Sequence, residues 1–402
     1  MMKRLRQFSA LTITFGLLMY TTGCGGLGDS GGNSCAAPAT IEKKDYDQGG
    51  TIEAGCYLAE NGMRVTKGEL TVEPGVTIQF GQDTGILVKN DGGLTAEGTE
   101  GDPIVFTGVE ETRGYWKGVY IQNRTTANSF DWVTVEYAGS GAWASYKSTA
   151  GVFVEGSESS LDIQNSTFLE NAETALYADG EDSNLTIESS SFIDNAQPMQ
   201  LQPNLTGKIG GDVSFSGNDE SHVVVGASDG SGSTINTDQT WPSLGIGYRI
   251  IKRVKVEAGL TLSPGITLEM GQNKGIEVNG GTLRADASGA ERITFTAANG
   301  EEVQGYWQGI RFANTLSSDN VIKNAAILYG GESDWFISDT RSNLFVHQES
   351  KVALSDVRIE GSGGTGIIVG SNSRIEPCSN VTIENNAGTK VNGDGLFACS
   401  GN

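Results

Sequence analysis

The stretch LTVEPGVTIQFGQDTGILV at residues 70–88 decides the fold, because it occurs a second time as LTLSPGITLEMGQNKGIEV at residues 260–278. Of the 19 aligned positions, 10 are identical. The match continues from GYWKGVYIQN at 114–123 to GYWQGIRFAN at 305–314, and it reaches Trp143 and Trp335, which are 192 residues apart. The chain is therefore a tandem duplication of a unit of about 190 residues.

A finer period lies inside each unit. LDIQNSTFLEN at 161–171 returns as LTIESSSFIDN at 185–195, and Phe168, Phe192 and Phe215 are 24 and 23 residues apart. Apolar residues alternate over short runs between Gly, Asn, Ser and Asp, which is typical of strands. A propeller blade needs roughly 40 residues, so this period excludes one. Stacked coils place each residue above its counterpart, and the sequence therefore predicts an all-β solenoid.

Four segments of the first unit resemble the β-helix repeat region of bacterial surface lipoproteins, namely LTVEPGVTIQFG, GGLTAEG, DPIVFTG and GYWKGVYI. The coil pattern also resembles the pectin-lyase-like superfamily, over nearly all of residues 50–395. This resemblance implies a right-handed parallel β-helix, and a coil of roughly 23 residues predicts about 14 or 15 coils. The superfamily includes lyases, hydrolases, adhesins and proteins of no known activity, so the resemblance leaves the function open.

The N-terminus is predicted to direct export. Residues 1–23 combine a basic start, a short apolar run and small residues, as signal peptides do. The run TTGC resembles a bacterial lipobox, which implies a lipid on Cys24; the alternative is an exported protein in which Cys24 is free. Residues 24–34 are a predicted flexible Gly/Ser tether. Residues 35–240 and 241–402 are then the two units of one continuous solenoid, with an N-terminal and a C-terminal cap, at the outer membrane or cell surface.

The charge of the chain limits its partners. The sequence has 27 Lys and Arg against 49 Asp and Glu, a formal net charge of −22. Binding to nucleic acid or to an anionic membrane surface through charge is therefore disfavoured. The expected contact with a membrane is the lipid anchor alone.

Four cysteines remain when Cys24 is set aside. Of their three possible pairings, sequence separation favours disulfides between Cys35 and Cys56 and between Cys378 and Cys399, each of which closes a short loop. Such bonds form and persist in the oxidising environment that an exported protein meets. Such bonds would staple the two terminal coils, whose core has a neighbour on one side only. A metal site at these cysteines is disfavoured, because their spacing lacks a CxxC pair and the chain has only 2 His residues.

A catalytic site is harder to find. The lyases of the resembled superfamily hold calcium with clustered carboxylates, and one clean pair, Glu170 and Asp194, occurs here at coil spacing. A calcium site is one interpretation of this pair; two solvated turn carboxylates are the other, and the acidic surface favours the second. The pattern GxSxG occurs as GDSGG at 28–32 and GASDG at 226–230, both in Gly- and Ser-rich stretches typical of linkers and loops, and no HExxH or P-loop motif occurs. A calcium-dependent polysaccharide lyase or glycoside hydrolase is therefore the alternative function, and no cofactor other than calcium is expected.

Aromatic residues outside the strand repeat are the candidate ligand contacts. Trp143 and Tyr146 lie in a Gly- and Ser-rich loop, and Trp335 lies in the matching loop of the second unit. Loops on rigid scaffolds often carry function, but each ring could equally fold back as a lid over the solenoid. The sequence thus predicts a non-catalytic, lipid-anchored envelope protein that binds a glycan or another envelope protein along its lateral face.

Overall fold

The computed structural model describes residues 35, 37–124, 127–144, 149–181, 183–226 and 233–400. The predicted signal peptide, Cys24 and the predicted tether lie outside these residues. Strands dominate the described part of the chain, with short 3₁₀-helices at Lys43–Asp45, Pro203–Lys208 and Ala298–Gly300. Among these described residues, no helix is long and apolar enough to cross a membrane.

The strands of the first unit are β1 Ala39–Thr40, β2 Gly50–Ile52, β3 Gly55–Ala59, β4 Met63–Val72, β5 Val76–Phe80, β6 Gly85–Glu97, β7 Ile104–Gly108, β8 Gly118–Asn123, β9 Ser129–Asp131, β10 Val133–Glu136, β11 Ala150–Val154, β12 Ser160–Gln164, β13 Thr167–Leu169, β14 Thr174–Ala178, β15 Asn184–Glu188, β16 Ser191–Ile193, β17 Gln197–Leu201, β18 Ser214–Ser216, β19 His222–Val225 and β20 Thr234–Ile235.

The strands that follow are β21 Gln239–Trp241, β22 Gly247–Ile250, β23 Val254–Val256, β24 Gly259–Leu262, β25 Thr267–Met270, β26 Gly275–Asn279, β27 Thr282–Asp286, β28 Ile293–Ala297, β29 Gly309–Ala313, β30 Val321–Leu328, β31 Ser342–Val346, β32 Lys351–Glu360, β33 Thr365–Val369, β34 Arg374–Glu384, β35 Val391–Asn392 and β36 Leu396–Ser400.

The strands stack coil upon coil into the three lateral faces of a parallel β-helix, as predicted. The first face is the eight-stranded sheet β1-β3-β5-β7-β10-β13-β16-β18. On the second face β8, β11, β14, β17 and β19 follow one another in parallel ladders. On the third face β9, β12 and β15 do the same. Each coil therefore buries one row of side chains from every face in a shared core.

The predicted phenylalanine column runs through that core. Phe168 pairs with Phe192 and Phe192 with Phe215 across neighbouring coils of the first face. The first two rings stack with centroids 4.6 Å apart, and the next pair lies 5.5 Å apart. The fine period of the sequence is thus the length of one coil.

An asparagine ladder holds the adjoining turn. Asn171 Nδ2 donates to Asn195 Oδ1 at 2.9 Å, and Asn195 Nδ2 donates to Asn218 Oδ1 at 3.0 Å. Each amide also bonds to the backbone of its own or the preceding coil, for example Asn195 Nδ2 to the Phe168 carbonyl at 2.9 Å. Asn171 and Asn195 are fully buried, so these bonds satisfy polar groups that water cannot reach.

Glycines mark a corner where coils approach closely. A Cβ at Gly85 would lie 2.3 Å from the Gly118 carbonyl oxygen, and one at Gly118 would lie 2.0 Å from that of Gly151. Gly118 also has a φ of +104°, which residues with a side chain rarely adopt. Gly118, the second glycine of the repeated GYWKG motif, is therefore required by the close stacking of the backbone.

The duplicated units are rotated relative to each other by one face. Strand β5, which carries VTIQF, belongs to the first face. Its duplicate β25 pairs with β22, and β22 pairs with β19 of the second face. Likewise β8 lies on the second face, whereas its duplicate β29 belongs to a separate sheet, β20-β23-β26-β29-β31-β33-β35. The unit therefore does not contain a whole number of coils.

Disulfide bonds close both ends of the solenoid with the predicted pairing. Cys35 is joined to Cys56 in β3, with a Cα–Cα distance of 5.3 Å. Cys378 in β34 is joined to Cys399 in β36, with a Cα–Cα distance of 4.3 Å, and the two are register partners. Each bond ties a terminal strand or segment to its neighbouring coil. The predicted number of coils and the predicted domain boundaries stay predictions.

Candidate functional site

Trp143 packs on the outside of the second face. Its ring stacks on Tyr120 with centroids 5.5 Å apart, and the Lys117 ammonium lies 5.5 Å from the ring. The far edge of the indole lies 3.1 Å from where a Cβ at Gly85 would be. The side chain is half-buried and lines a recess of about 270 Å³, so one part of it remains open to solvent.

Trp335 is more deeply buried than its counterpart, with 1% of its surface exposed. It packs with Phe345 and Ile368, outward-facing residues of β31 and β33. The indole also approaches Gly275, the counterpart of Gly85, where a Cβ would lie 3.0 Å from the ring. In this arrangement the ring covers the outer surface of the sheet, which is the lid geometry, and its faces are closed to a ligand.

The two loops are therefore built alike. Each tryptophan sits on a glycine of the repeated stretch and covers outward-facing apolar side chains, among them Tyr120 and Phe153 in the first unit. Both indole Nε1 atoms are buried and make no hydrogen bond to a described residue. Tyr146, the third candidate ligand contact, lies outside the described residues. The predicted binding role of these loops stays a prediction.

The carboxylate pair occupies a column of left-handed turn residues. Glu170 and Asp194 have φ angles of 49° and 52°, and Gly217 follows them in the next coil with 67°. A Cβ at Gly217 would lie 1.8 Å from Asp194 Oδ1, so the glycine makes room for that carboxylate. Among the described residues, no group of three or more His, Cys, Asp and Glu side chains could hold a metal ion. The calcium interpretation thus has two ligands and no third.

The surroundings of Glu170 are nevertheless strongly negative. Burial raises the pKa of Glu136, and the nearby carboxylates Glu111 and Glu170 raise it further, against a hydrogen bond from Thr107 that lowers it. Burial raises the pKa of Tyr137 to about 12, and the carboxylates of Glu136, Glu170 and Glu111 contribute to the rise. Burial is the main cause of both shifts, and repulsion among the turn carboxylates adds to it.

A groove at the junction of the two units was not predicted. It has a volume of about 650 Å³ and is open along one side. Its walls come from the 3₁₀-helix Pro203–Lys208, from β21 and the residues before it, and from β24 and β27. The lining residues are Asn204, Gly207, Lys208, Thr237, Asp238, Gln239, Thr240, Gly259, Thr261, Thr282, Arg284 and Asp319.

Polar side chains stack along the floor of this groove. Thr240 pairs with Thr261, and Thr261 with Arg284, in the ladders of β21, β24 and β27. Asp238 Oδ1 accepts a hydrogen bond from the Gly259 N–H at 2.7 Å, and this bond fixes the carboxylate at the rim.

One wall is held by a hydrogen-bond network across the junction. Gln239 Oε1 accepts from the Gly207 N–H at 2.9 Å and from Trp241 Nε1 at 3.1 Å. Asn204 Oδ1 accepts from the Asn236 N–H at 3.2 Å and from the Thr237 hydroxyl at 3.1 Å. The 3₁₀-helix is thereby fixed against residues 236–239, immediately before the second unit. Thr240 and Thr261, at matching positions of successive coils, were visible in the sequence. The sequence did not show that the 3₁₀-helix would lie beside them and complete a groove.

Comparison with known proteins bears on the fold of the first unit. Residues 50–143 match the family model described as a pectate-lyase like beta helix domain. No curated protein and no solved structure matches the chain. The matched segment includes β2 to β10 and ends at Trp143, and the parallel ladders continue beyond it to β36. Residues 50–143 are therefore similar to a pectate-lyase-like β-helix domain, and the described strands that follow them continue the same parallel β-helix architecture.

Proposed function

We propose that this protein is a non-catalytic, lipid-anchored protein of the cell envelope that binds a glycan in the groove between its two units. The observation that carries the proposal is the floor of the groove. The hydroxyls of Thr240, Thr261 and Thr282 face the groove and form no hydrogen bond with another described residue. Donors and acceptors that are held in place and free to bond are what a polyhydroxylated ligand requires.

The charges around the groove favour a glycan of low net charge. Lys208 and Arg284 contribute two positive charges, and Asp238 and Asp319 contribute two negative charges. Because these charges offset each other, neither a polyanion nor a polycation gains a strong advantage. The lining also contains two carboxylates and one ammonium of the kinds that serve as acid, base or nucleophile in glycan cleavage, and the experiment described next separates binding from cleavage.

A glycan panel tests the proposal. The full chain with Cys24→Ala would be incubated with neutral and acidic polysaccharides, with and without calcium, and bound glycan would be measured. We expect binding without new reducing or unsaturated ends. The appearance of such ends would establish the lyase or hydrolase alternative instead.

Matched substitutions locate the ligand. Thr261→Met removes a hydroxyl and partly fills the groove, whereas Thr71→Met makes the same change at the corresponding half-buried position of the first unit. We expect the Thr261 variant to weaken binding about tenfold or more and the Thr71 variant to bind as the parent does. Equal effects of the two substitutions would contradict binding in the junction groove.

The membrane attachment has its own test. If Cys24 carries the lipid, cells that express Cys24→Ala will release the protein from the membrane fraction, and the parent protein will remain in it. Mass analysis of the parent N-terminal peptide should find acyl chains on Cys24. A parent protein that is recovered without acyl chains, in the soluble fraction, would contradict the anchor.

A further inference from the structure

At two positions beside the tryptophan loop, the second unit has charged residues where the first unit has apolar ones. Leu87 and Tyr120 lie beside Trp143 in the first unit. At the corresponding positions of LVKN and EVNG, and of GVYI and GIRF, the second unit has Glu277 and Arg311. The duplication thus preserved the tryptophan lid and changed the chemistry beneath it.

Two further replacements enlarge this difference. Arg253 immediately precedes β23, as Gly62 immediately precedes the corresponding strand β4 of the first unit. Phe336 follows Trp335, whereas Ala144 follows Trp143. The two units thus differ at four neighbouring positions on one outer surface. Conserving the tryptophan lid alone would not require these four differences. We call Arg253, Arg311, Phe336 and Ile337, which lie around Trp335, the Phe336 site.

Arg311 is a buried cation in this site, with 5% of its surface exposed. Its Nη1 donates to Glu277 Oε1 at 2.5 Å, and its Nη2 donates to Gln348 Oε1 at 2.9 Å. Its Nε is buried and has no hydrogen-bond partner among the described residues. Glu277 is thus already committed to one guanidinium.

Arg253 lies close to Arg311 but lacks a carboxylate of its own. Its Nε and Nη2 both donate to Gln308 Oε1, at 3.1 and 2.8 Å, and within the described ranges no salt bridge reaches it. Burial lowers the pKa of Arg311, Glu277 opposes this, and repulsion by Arg253 lowers it further. The pair of guanidinium groups therefore has one balancing carboxylate, in a chain whose net charge is −22.

An apolar tip stands above the two arginines. Phe336 is 71% exposed and Ile337 is 46% exposed. The Phe336 ring centre lies 5.2 Å from the Arg253 guanidinium and 5.3 Å from that of Arg311. A large apolar ring is thus held over cations instead of folding into the apolar surface nearby.

The loop fixes this tip in place by its own hydrogen bonds. The Trp335 N–H donates to Thr340 Oγ1 at 2.9 Å, and the Thr340 N–H donates to Asp334 Oδ1 at 2.7 Å. Phe336 adopts a φ of 63°, which is strained for a bulky residue. A preformed, strained presentation of apolar side chains lowers the entropy cost of binding.

We propose that the Phe336 site docks a segment of a protein partner that presents a carboxylate beside an apolar side chain. The carboxylate would pair with Arg253 and supply the missing negative charge, and the apolar side chain would cover Phe336 and Ile337. Arg and aromatic residues are enriched at such binding centres. An aliphatic side chain such as Ile337 has neither an aromatic face on which a sugar could stack nor a polar group to bond its hydroxyls, which favours a peptide over a glycan. This inference is independent of the glycan groove, which lies on another part of the molecule.

Synthetic peptides test the proposal. The full chain in detergent would be applied to an array of short peptides with one Asp or Glu next to Leu, Ile or Phe, beside versions with Asn or Gln and versions with Ser for the apolar residue. We expect binding only when both groups are present. For the peptide retained most strongly, Arg253→Gln and Phe336→Ala should each weaken binding about tenfold or more.

Two exposed residues elsewhere provide the matched controls. Arg124 pairs with Glu158 on the surface, and Leu316 is 51% exposed. Arg124→Gln and Leu316→Ala should leave peptide binding unchanged. The proposal is overturned if no peptide binds, if the amide versions bind equally well, or if the control variants lose as much as the site variants. Binding of an oligouronate that depends on Arg253, with no peptide bound, would also overturn it.

Discussion

Trp143 and Trp335 show how one residue type at matching positions comes to differ in its surroundings. Trp335 is 1% exposed beneath its loop, whereas Trp143 keeps one edge open to solvent. Their position in both loops was visible in the sequence, but their burial was not. Burial depends on Phe345 and Ile368 in later coils, and the sequence does not show that these side chains face outward beneath the loop.

The free energy of unfolding should separate the lid from a ligand platform. Trp335→Ala empties a buried site and should cost about 3 to 5 kcal/mol, measured by urea denaturation. Trp143→Ala should cost less, because part of that ring is already solvated. Phe336→Ala is the control, since an exposed substitution usually changes stability within about 0.5 kcal/mol. A Trp335 variant as stable as the parent would contradict the lid geometry.

Histidine titration should make the stability depend on pH. Burial and the charge of Arg249 lower the pKa of His222 from its ordinary value of 6.5, and burial and Arg311 lower that of His347. Because the unfolded chain binds these protons first, their effect on stability is absent above pH 6.5 and the folded state loses stability as pH falls below it. His222→Gln should reduce the slope of the unfolding free energy between about pH 7 and pH 5. An unchanged slope would show that His222 is not responsible.

At the scale of the strand and turn, much of the structure followed from spacing. The period of 24 and 23 residues between Phe168, Phe192 and Phe215 placed those rings in one column, because a coil returns each residue above its counterpart. The repeated Pro-Gly dipeptide forms the turn between β4 and β5, in which Gly75 has a φ of 79°, as this pair of residues favours. The junction groove was missed because its hydroxyl row gains a second wall only from the 3₁₀-helix Pro203–Lys208.

The glycine corner gives a test at this scale. Gly118→Ala would place a Cβ 2.0 Å from the Gly151 carbonyl oxygen, in a backbone with a φ of +104°. Because backbone atoms cannot move aside cheaply, we expect a loss of about 3 kcal/mol or more, or failure to fold. Gly101→Ala is the matched control, since a Cβ there meets no atom within 4 Å. Similar thermal midpoints for the two variants would contradict the close approach of the coils.

For the whole molecule, coils interact only with their neighbours, so damage at one end should stay local. Replacing Cys378 and Cys399 with Ala removes a link between residues 21 apart, which should cost about 3 kcal/mol. Hydrogen exchange should then show lost protection in β34 to β36 and unchanged protection in β5 to β16. Loss of protection along the entire chain would mean that the solenoid unfolds as one cooperative unit.

The rotation between the units could not be predicted from the repeat. An offset near 190 residues fixes which positions correspond, but the direction in which they point depends on how many strand positions the intervening coils contain. Long connections, such as the one between β10 and β11, also change the number of residues per coil. The number of residues between them therefore aligns Trp335 with Trp143, but it does not show on which face of the solenoid Trp335 lies.

The rotation of one unit relative to the other decides on which sides of the solenoid the two tryptophan loops lie. Stacked without it, the two tryptophan loops would form one continuous strip suited to a single long ligand. Turned by one face, the loop over β8 and the loop over β29 address different sides of the solenoid. Two partners bound there would approach the solenoid from different sides. If each loop binds a partner, the rotated duplication makes the molecule bivalent and able to bridge two components of its surroundings, which a single strip along one face would not do.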